Sequence, residues 1–350
     1  MRESRRARVA SAGIAGVLCL GVAACELKAK ARAPDAAEGA PKTAVVVYSG
    51  RGQVLVDPLF KMFTEKTGYP VEVRYEKSTE TLANRLVTEG KETPADVFFA
   101  QDSGYLGALA KKGALRSLPK DMDSALQESY RVGGGFWVPT SGRARVIVYS
   151  PERVKADQLP KSLEELTDAR FKGRLGWAPR NASYQAHVSA LRKLWGDEKT
   201  KAWLAGVKAN GVKVYPKNSP QVKAVSSGEI DLGWVNHYYL HKLKAANPAL
   251  KAANWSFSSK GDAGNLMMLS GVAISAHSDN VAGAEALLTF LTSEAAQSYF
   301  ANKVYEYPTR AGVARHKDVP AIGAGMVQVD QAALTDVGPT LDLLRTLGLQ

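Results

Sequence analysis

The stretch "AVVVYSGRGQVLVDPLFKMFTEKTGYPVEVRY", residues 44–75, decides the reading of the fold. Its first part, "AVVVYS", is a short β-rich run. "VLVDPLFKMFTEKTG" then places apolar residues at helical spacing and stops at Gly68, and "VEVRY" is strand-like again. Strand, helix and strand, with apolar strands, argue for parallel pairing beneath a helical layer. Working outward, the alternation continues. "STETLANRLVTEG" predicts a helix capped by Ser78, and "ADVFFA" a third strand. Beyond "RARVIVYS" the pattern gives a helix from Ser162, the strand "RLGWA", and helices from Ser183 and Thr200. The strand "VKVYP", a capped helix start at "NSPQVKAVSSGE" and the strand "IDLGWV" follow. No internal repeat is visible. The chain reads as α/β.

The N-terminus sets the compartment. Arg2, Arg5, Arg6 and Arg8 form a basic head before the apolar run Val9 to Ala24. That run is too short for a comfortable membrane span and reads as a secretory signal, residues 1–24. It ends "GVAAC", and small residues before Cys25 resemble the bacterial lipobox, in which the cysteine is lipidated and becomes the new N-terminus. Cys19, behind bulky Leu18, is a poorer candidate. Lipidation of Cys25 leaves no free thiol in the mature chain, which excludes disulfides and cysteine metal sites. Residues 25–42 contain "ELKAKARAPDAAEGAPK", which lacks an apolar period and reads as a flexible tether. About three hundred residues follow, enough for two domains with full cores.

The chain carries a net charge of +12; residues 1–24 hold four Arg and one Glu, and +9 remains without them. Lysines are spread along helical stretches such as "DEKTKAWLAGVKANG" rather than clustered beside aromatics. Export and this spread argue against a nucleic-acid partner. The charge fits a field that favours anions, or solvated faces.

In open α/β sheets ligands sit beyond the C-terminal ends of strands. The loops "YSGRG" (48–52), "FAQDSG" (99–104), "APRNASYQ" (178–185), "PKNSP" (216–220) and "VNHYY" (235–239) lie at such ends. They supply Arg51, Gln101, Asp102, Arg180, Asn181, Ser183, Tyr184, Asn218, Ser219 and Asn236, with the adjacent pair Tyr238 and Tyr239. Neighbours in a regular strand point to opposite faces. On the first turn after a strand, two phenols converge. His237 and His241 flank the pair at a spacing of four, which invites zinc. A metalloprotease helix, however, needs Glu directly after its first His, where Tyr238 stands. One histidine is therefore expected to cap or pack and the other to be exposed, and no nucleophile–base pair stands out.

The segments "TPADVFFAQD", "SGRARVIVYS", "FKGRLGW", "VYPKNS", "NHYY", "DAGNLMMLSGVAI" and "EYPTRAGV", in that order between Val45 and Val313, resemble the periplasmic ferric-ion-binding proteins of ABC iron importers. The resemblance implies a type II periplasmic-binding-protein fold: two lobes, a cleft between them and crossover strands. The expected first lobe is 43–139 with 264–310, and the second is 140–263 with 311–350. It implies a monomeric binding protein and not an enzyme, held at a bacterial membrane by its lipid and handing its cargo to a permease.

The family grips Fe³⁺ with an adjacent tyrosine pair, and Tyr238 and Tyr239 fall on it. The chemistry is sound from below. Fe³⁺ is a hard cation suited to anionic oxygen, and its charge drives loss of the phenol proton from a group whose pKa is otherwise about 10. Tyr184 matches a third tyrosine of some branches; a packed first-turn aromatic is the plain alternative. Where other branches place a His and a Glu ligand, this chain has Gly52 and Gln101, which cannot serve as anionic ligands. Asp102 follows as a possible ligand or helix cap. Arg51 matches an arginine that holds a carbonate-like anion in some branches, a role its fork suits. Ser183, Asn218 and Asn236 are expected in or behind that site. Arg143 and Arg145 are expected to be structural at the interlobe crossing, with one of them able to face the cleft.

Two rivals stand beside Fe³⁺. One is the same fold with an organic or oxyanion solute, such as thiamine stacked on Trp177 or Trp234, or a phosphonate; a polyamine is disfavoured because the loops are not acidic. The other is an exported zinc enzyme using His237 and His241.

Overall fold

The computed structural model describes residues 42–349 except 77, 133–134, 322–326, 328 and 330–336. The signal segment, Cys25 and all of the tether but Lys42 lie outside the described residues. Among those described, no helix is long and apolar enough to cross a membrane.

The opening stretch forms β1 (Val45–Ser49), α1 (Gln53–Thr67) and β2 (Val71–Tyr75), with β1 and β2 parallel. α1 buries Val56, Leu59, Phe60 and Phe63, the positions its helical period selects. It ends because Gly68 takes φ +76 and its N–H returns to the Thr64 carbonyl. α2 (Thr79–Glu89) starts on Ser78, whose hydroxyl accepts from the Thr81 N–H. β3 (Val97–Ala100) adds to β1 in parallel, and α3 (Gly104–Lys111) follows.

β4 (Val138–Tyr149) is the long element. Residues Val138–Ala144 pair with β9 (Met267–Ile274), which returns antiparallel beside β3. Residues Arg145–Tyr149 pair instead with β7 (Leu232–Asn236) and β8 (Ala253–Trp255). One strand therefore leaves the first sheet and enters the second. The second sheet continues through β5 (Leu175–Trp177) to β6 (Lys213–Val214), both parallel to β7. Its helices are α4 (Ala182–Trp195), α5 (Asp197–Ala209), α6 (Asn218–Ser227) and α7 (Tyr238–Ala246). Next come α8 (Val281–Leu291), α9 (Glu294–Tyr299), a π-turn over Phe300–Val304, β10 (Tyr307–Pro308) against β4, and α10 (Gly338–Thr346).

Each sheet is covered on both faces. α1, α8 and α9 close one apolar core on the first sheet around Val47, Phe63 and Leu287. α2 and α3 close the other around Tyr48, Phe98 and Leu106. In the second sheet Trp177, Leu191, Trp203 and Leu344 form one core, and Val148, Val222, Val235 and Leu240 the other. Buried parallel strands under two helical layers explain the continuous apolar runs in the sequence.

Two elements differ from the sequence pattern. The helix predicted from Ser162 is a pair of 3₁₀ turns, Glu164–Thr167 and Ala169–Phe171, broken at Asp168, whose backbone is extended. Leu163, Leu166 and Phe171 must all reach one core, and short turns aim them there. The strand "VKVYP" shrinks to Lys213–Val214, because Pro216 leads directly into α6 at the sheet edge.

Candidate metal centre

β7 ends at Asn236 and α7 begins at Tyr238, so the tyrosine pair occupies the first turn after a strand. There the two rings stack, centroids 4.3 Å apart and 29° between planes. Tyr238 is buried and Tyr239 half-buried. Burial, the neighbouring Tyr239 and the Glu306 carboxylate raise the Tyr238 pKa well above its ordinary value, so the phenol is protonated in this state.

Tyr184 lies in the first turn of α4, behind Asn181, whose side chain accepts from the Ser183 N–H. It is fully buried. Its ring is wedged edge-on between Trp177, at 5.8 Å, and Trp234, at 5.2 Å. Among the described residues its hydroxyl has no hydrogen-bond partner, and burial raises its pKa well above the usual value. Both tryptophans are buried with Tyr184 between them, which leaves no open indole face for a stacked thiamine.

Arg145, at the start of the second half of β4, ties these residues together. One terminal nitrogen donates to Ser183 Oγ at 3.1 Å, Asn236 Oδ1 at 3.2 Å and Asn218 Oδ1 at 3.4 Å. The other donates to the Trp234 carbonyl at 2.7 Å, and Nε has no partner among the described residues. The guanidinium carbon is 5.7 Å from the Tyr184 ring centre and 5.0 Å from that of Trp234. All these acceptors are neutral. Burial lowers the Arg145 pKa to about 10, against the opposing pull of charge on Tyr184, Tyr239 and Tyr238. The sequence expectation is that Arg143 and Arg145 are structural at the crossing, with one of them able to face the cleft. The signal for the role of Arg145 was the spacing "RAR": two residues apart in a strand share a face.

The first-lobe candidates are engaged elsewhere. Arg51 donates to Ser270 Oγ at 2.9 Å and to both carboxylate oxygens of Glu306 at 2.9 Å, with side chains 1% and 0% exposed. Glu306 also accepts from Ser141. Arg143 donates to Asp102 at 2.5 Å and to the Gln101 carbonyl. Asp102 therefore neither caps α3, which has no side-chain cap, nor stands free as a ligand. Asn218 sits at the start of α6 and donates to Asn181 while accepting from Arg145.

The histidines differ from expectation, since both are buried. His237 Nδ1 accepts from the Ala144 N–H at 3.1 Å, and Nε2 donates to the Tyr305 carbonyl at 2.7 Å. Both ring nitrogens are used within the protein. His237 is a strut that fixes the start of α7 against β4. Among the described residues no cluster of three or more His, Cys, Asp or Glu is placed to hold a metal.

Two α/β halves share β4, and the stacked phenols of Tyr238 and Tyr239 stand at the end of β7 in the second half. Residues 58–324 match the family model described as bacterial extracellular solute-binding protein, and the chain belongs to that family. It is 32% identical to the Fe(3+)-binding periplasmic protein of Serratia marcescens over 309 residues, 87% of this chain and 90% of that one. Its fold matches iron-bound HitA from Pseudomonas aeruginosa with a TM-score of 0.81 and 30% identity, covering 88% and 100% of the two chains. It also matches the Trichodesmium IdiA (FutA) protein in complex with iron and citrate ligands, with a TM-score of 0.76 and 26% identity over 88% and 100%. The fold is thus the two-lobe, type II periplasmic-binding-protein fold.

Proposed function

We propose that this chain is an exported ferric-ion-binding protein that holds Fe³⁺ through the phenolates of Tyr184, Tyr238 and Tyr239. One observation carries the reading: a fully buried guanidinium, Arg145, lies beside these phenols and, among the described residues, donates only to neutral acceptors. A buried charge without a counter-charge is costly. Three phenolates supply one, and Fe³⁺ compensates the phenolates in turn. The loaded set of three phenolates, Fe³⁺ and Arg145 carries one net positive charge, which a carbonate-like anion would balance. Arg145, with Ser183, Asn218 and Asn236 beside it, fits that anion better than Arg51, whose terminal nitrogens are taken by Ser270 and Glu306. The relative named for Fe(3+) and the two neighbours solved with iron support the metal.

The lobes meet along β4, with boundaries at 43–139 and 264–310 against 140–263 and 311–350. Closure around the ion and reopening on an ABC permease is the working cycle. Cys25 carries the lipid that holds the protein at the membrane after export. Metal analysis with an absorption spectrum, on protein purified without chelators, tests the function. One iron per chain with a visible tyrosinate band is expected. Colourless protein that takes up no iron sinks the reading.

A further inference from the structure

β2 is the outer strand of the first sheet, paired with β1 on one side and, among the described residues, with no strand on the other. Two flanking bonds fix which of its residues face β1: the Val45 N–H donates to the Pro70 carbonyl, and the Glu76 N–H to the Ser49 carbonyl. Bonding direction alternates along a strand. Glu72 and Arg74 therefore direct their backbone groups to β1, and Val71, Val73 and Tyr75 turn theirs to the open edge. Such an edge is a template for another strand, and proteins blunt it with a proline, a bulge or a cover. β2 contains no proline, and its register against β1 is unbroken. Val71, Val73 and Tyr75 are only half-buried against the α1 core. There a cavity of about 390 Å³ is lined by Phe60 and Thr64 of α1 together with Val71 and Val73. Glu72 and Arg74 lie on the other face, 3.3 Å apart, with 56% and 37% of their side chains exposed.

We propose that β2 pairs edge to edge with β2 of a second copy of this chain, antiparallel and centred on Val73, so that two first sheets become one. The charges choose the register. Alignments that let the outward-facing residues exchange bonds are centred on Glu72, Val73 or Arg74. Centring on Glu72 or on Arg74 sets that residue against its own copy, like charge against like. Centring on Val73 sets each Glu72 opposite Arg74 of the other copy, in the non-hydrogen-bonded positions where side chains stand closest. It also sets Val71 opposite Tyr75, a β-branched residue against an aromatic one. The seam leaves the tyrosine pair free, since β1, β3, β9 and β4 stand between β2 and β7. Lys42 lies over the Tyr69 ring and donates to the Thr67 carbonyl just before β2. Both chains thus enter their sheets beside the seam, where tethering to one membrane raises their effective concentration. The inference does not depend on the ferric reading, and it replaces the monomer that the resemblance implies.

The test is sedimentation equilibrium of the full-length protein in detergent, run beside Cys25→Ser so that a shared micelle is not read as a dimer. A concentration-dependent dimer in both is the expected result, and a weak one, because a single strand pair buries less than a standard interface. Glu72→Arg and Arg74→Glu should each weaken association about tenfold. The double variant, Glu72→Arg with Arg74→Glu, should restore it, with circular dichroism confirming the fold of each protein. A monomer at every concentration from micromolar to millimolar overturns the proposal, and so does a dimer lost with Cys25→Ser. A dimer that neither single reversal weakens, or that the double reversal does not restore, overturns the assignment of the seam to β2.

Discussion

The Arg145 guanidinium lies 5.7 Å from the centre of the Tyr184 ring, and charge on Tyr184, Tyr239 or Tyr238 would steady it. At about 6 Å and an effective dielectric constant near 20, one such pair contributes about 3 kcal/mol. Arg145→Met should therefore weaken ferric binding by about a hundredfold. Arg145→Lys keeps the charge but loses the fork to Ser183 and Asn236, and should fall between. Competition with a coloured chelator gives the affinities. Unchanged affinity with a lowered melting temperature would make Arg145 a purely structural residue.

Removing the Tyr184 hydroxyl should separate stability from binding. Tyr184→Phe deletes a buried oxygen that has no partner among the described residues, so the melting temperature should hold or rise slightly. The visible tyrosinate band and the affinity should both fall. A melting temperature lower by several degrees would show that the hydroxyl is bonded in the folded protein.

Tyr238→Phe and Tyr239→Phe probe the pair itself. Each phenol that becomes a ligand gives up one proton, and burial keeps the Tyr238 proton on until the metal arrives. Iron uptake by the wild type should release a proton for each ligating tyrosine, measured in a weakly buffered solution with an indicator dye. The double variant should release about two fewer and lose most of its colour while staying folded. Proton release unaltered in the double variant would reduce the pair to packing.

The fold was legible because buried parallel strands write themselves as apolar runs, as in "AVVVYS" and "ADVFFA". The tyrosine pair stands out by its adjacency at a strand end, but its reading as a metal grip comes from the family resemblance and not from the spacing. The role of Arg145 was harder to read. Both arginines of "RAR" lie on one strand face, and only the fold shows that Asp102 meets Arg143 while Arg145 meets neutral groups. The helix from Ser162 failed for a related reason, since tertiary packing of Leu163, Leu166 and Phe171 overrode the local period.

Cys25→Ser should abolish labelling with a fatty-acid probe and shift the protein from the membrane to the soluble fraction. The basis is the "GVAAC" signature alone. Persistent labelling of the variant, removed by changing Cys19, would move the lipid to Cys19.

Arg51 and Glu306 make the sharpest case of a residue whose expected role the geometry redirects. In the sequence Arg51 is a cation free to reach an iron-bound anion. In the fold it is buried against a buried carboxylate, with Ser270 and Ser141 completing the set. Breaking such a pair from one side leaves an uncompensated charge and typically costs about 3–5 kcal/mol. Arg51→Ala should therefore lower unfolding free energy by that order in urea titrations, and Arg51→Met with Glu306→Gln should recover most of it. Bicarbonate decides whether Arg51 also serves an anion: a structural Arg51 weakens iron binding equally with and without it. Titration supplies an independent check. Burial alone would raise the Glu306 pKa, but Arg51 and Arg143 hold it below 4.5. A carboxylate depressed in the fold stabilises above its unfolded pKa and loses that contribution as pH falls through the folded one. The stability gap between wild type and Glu306→Gln should thus be constant above the usual carboxylate range and shrink as pH falls below it, through the depressed folded pKa. A gap that does not shrink at all on acidification would mean that the charge of the pair is not what stabilises this part of the first lobe.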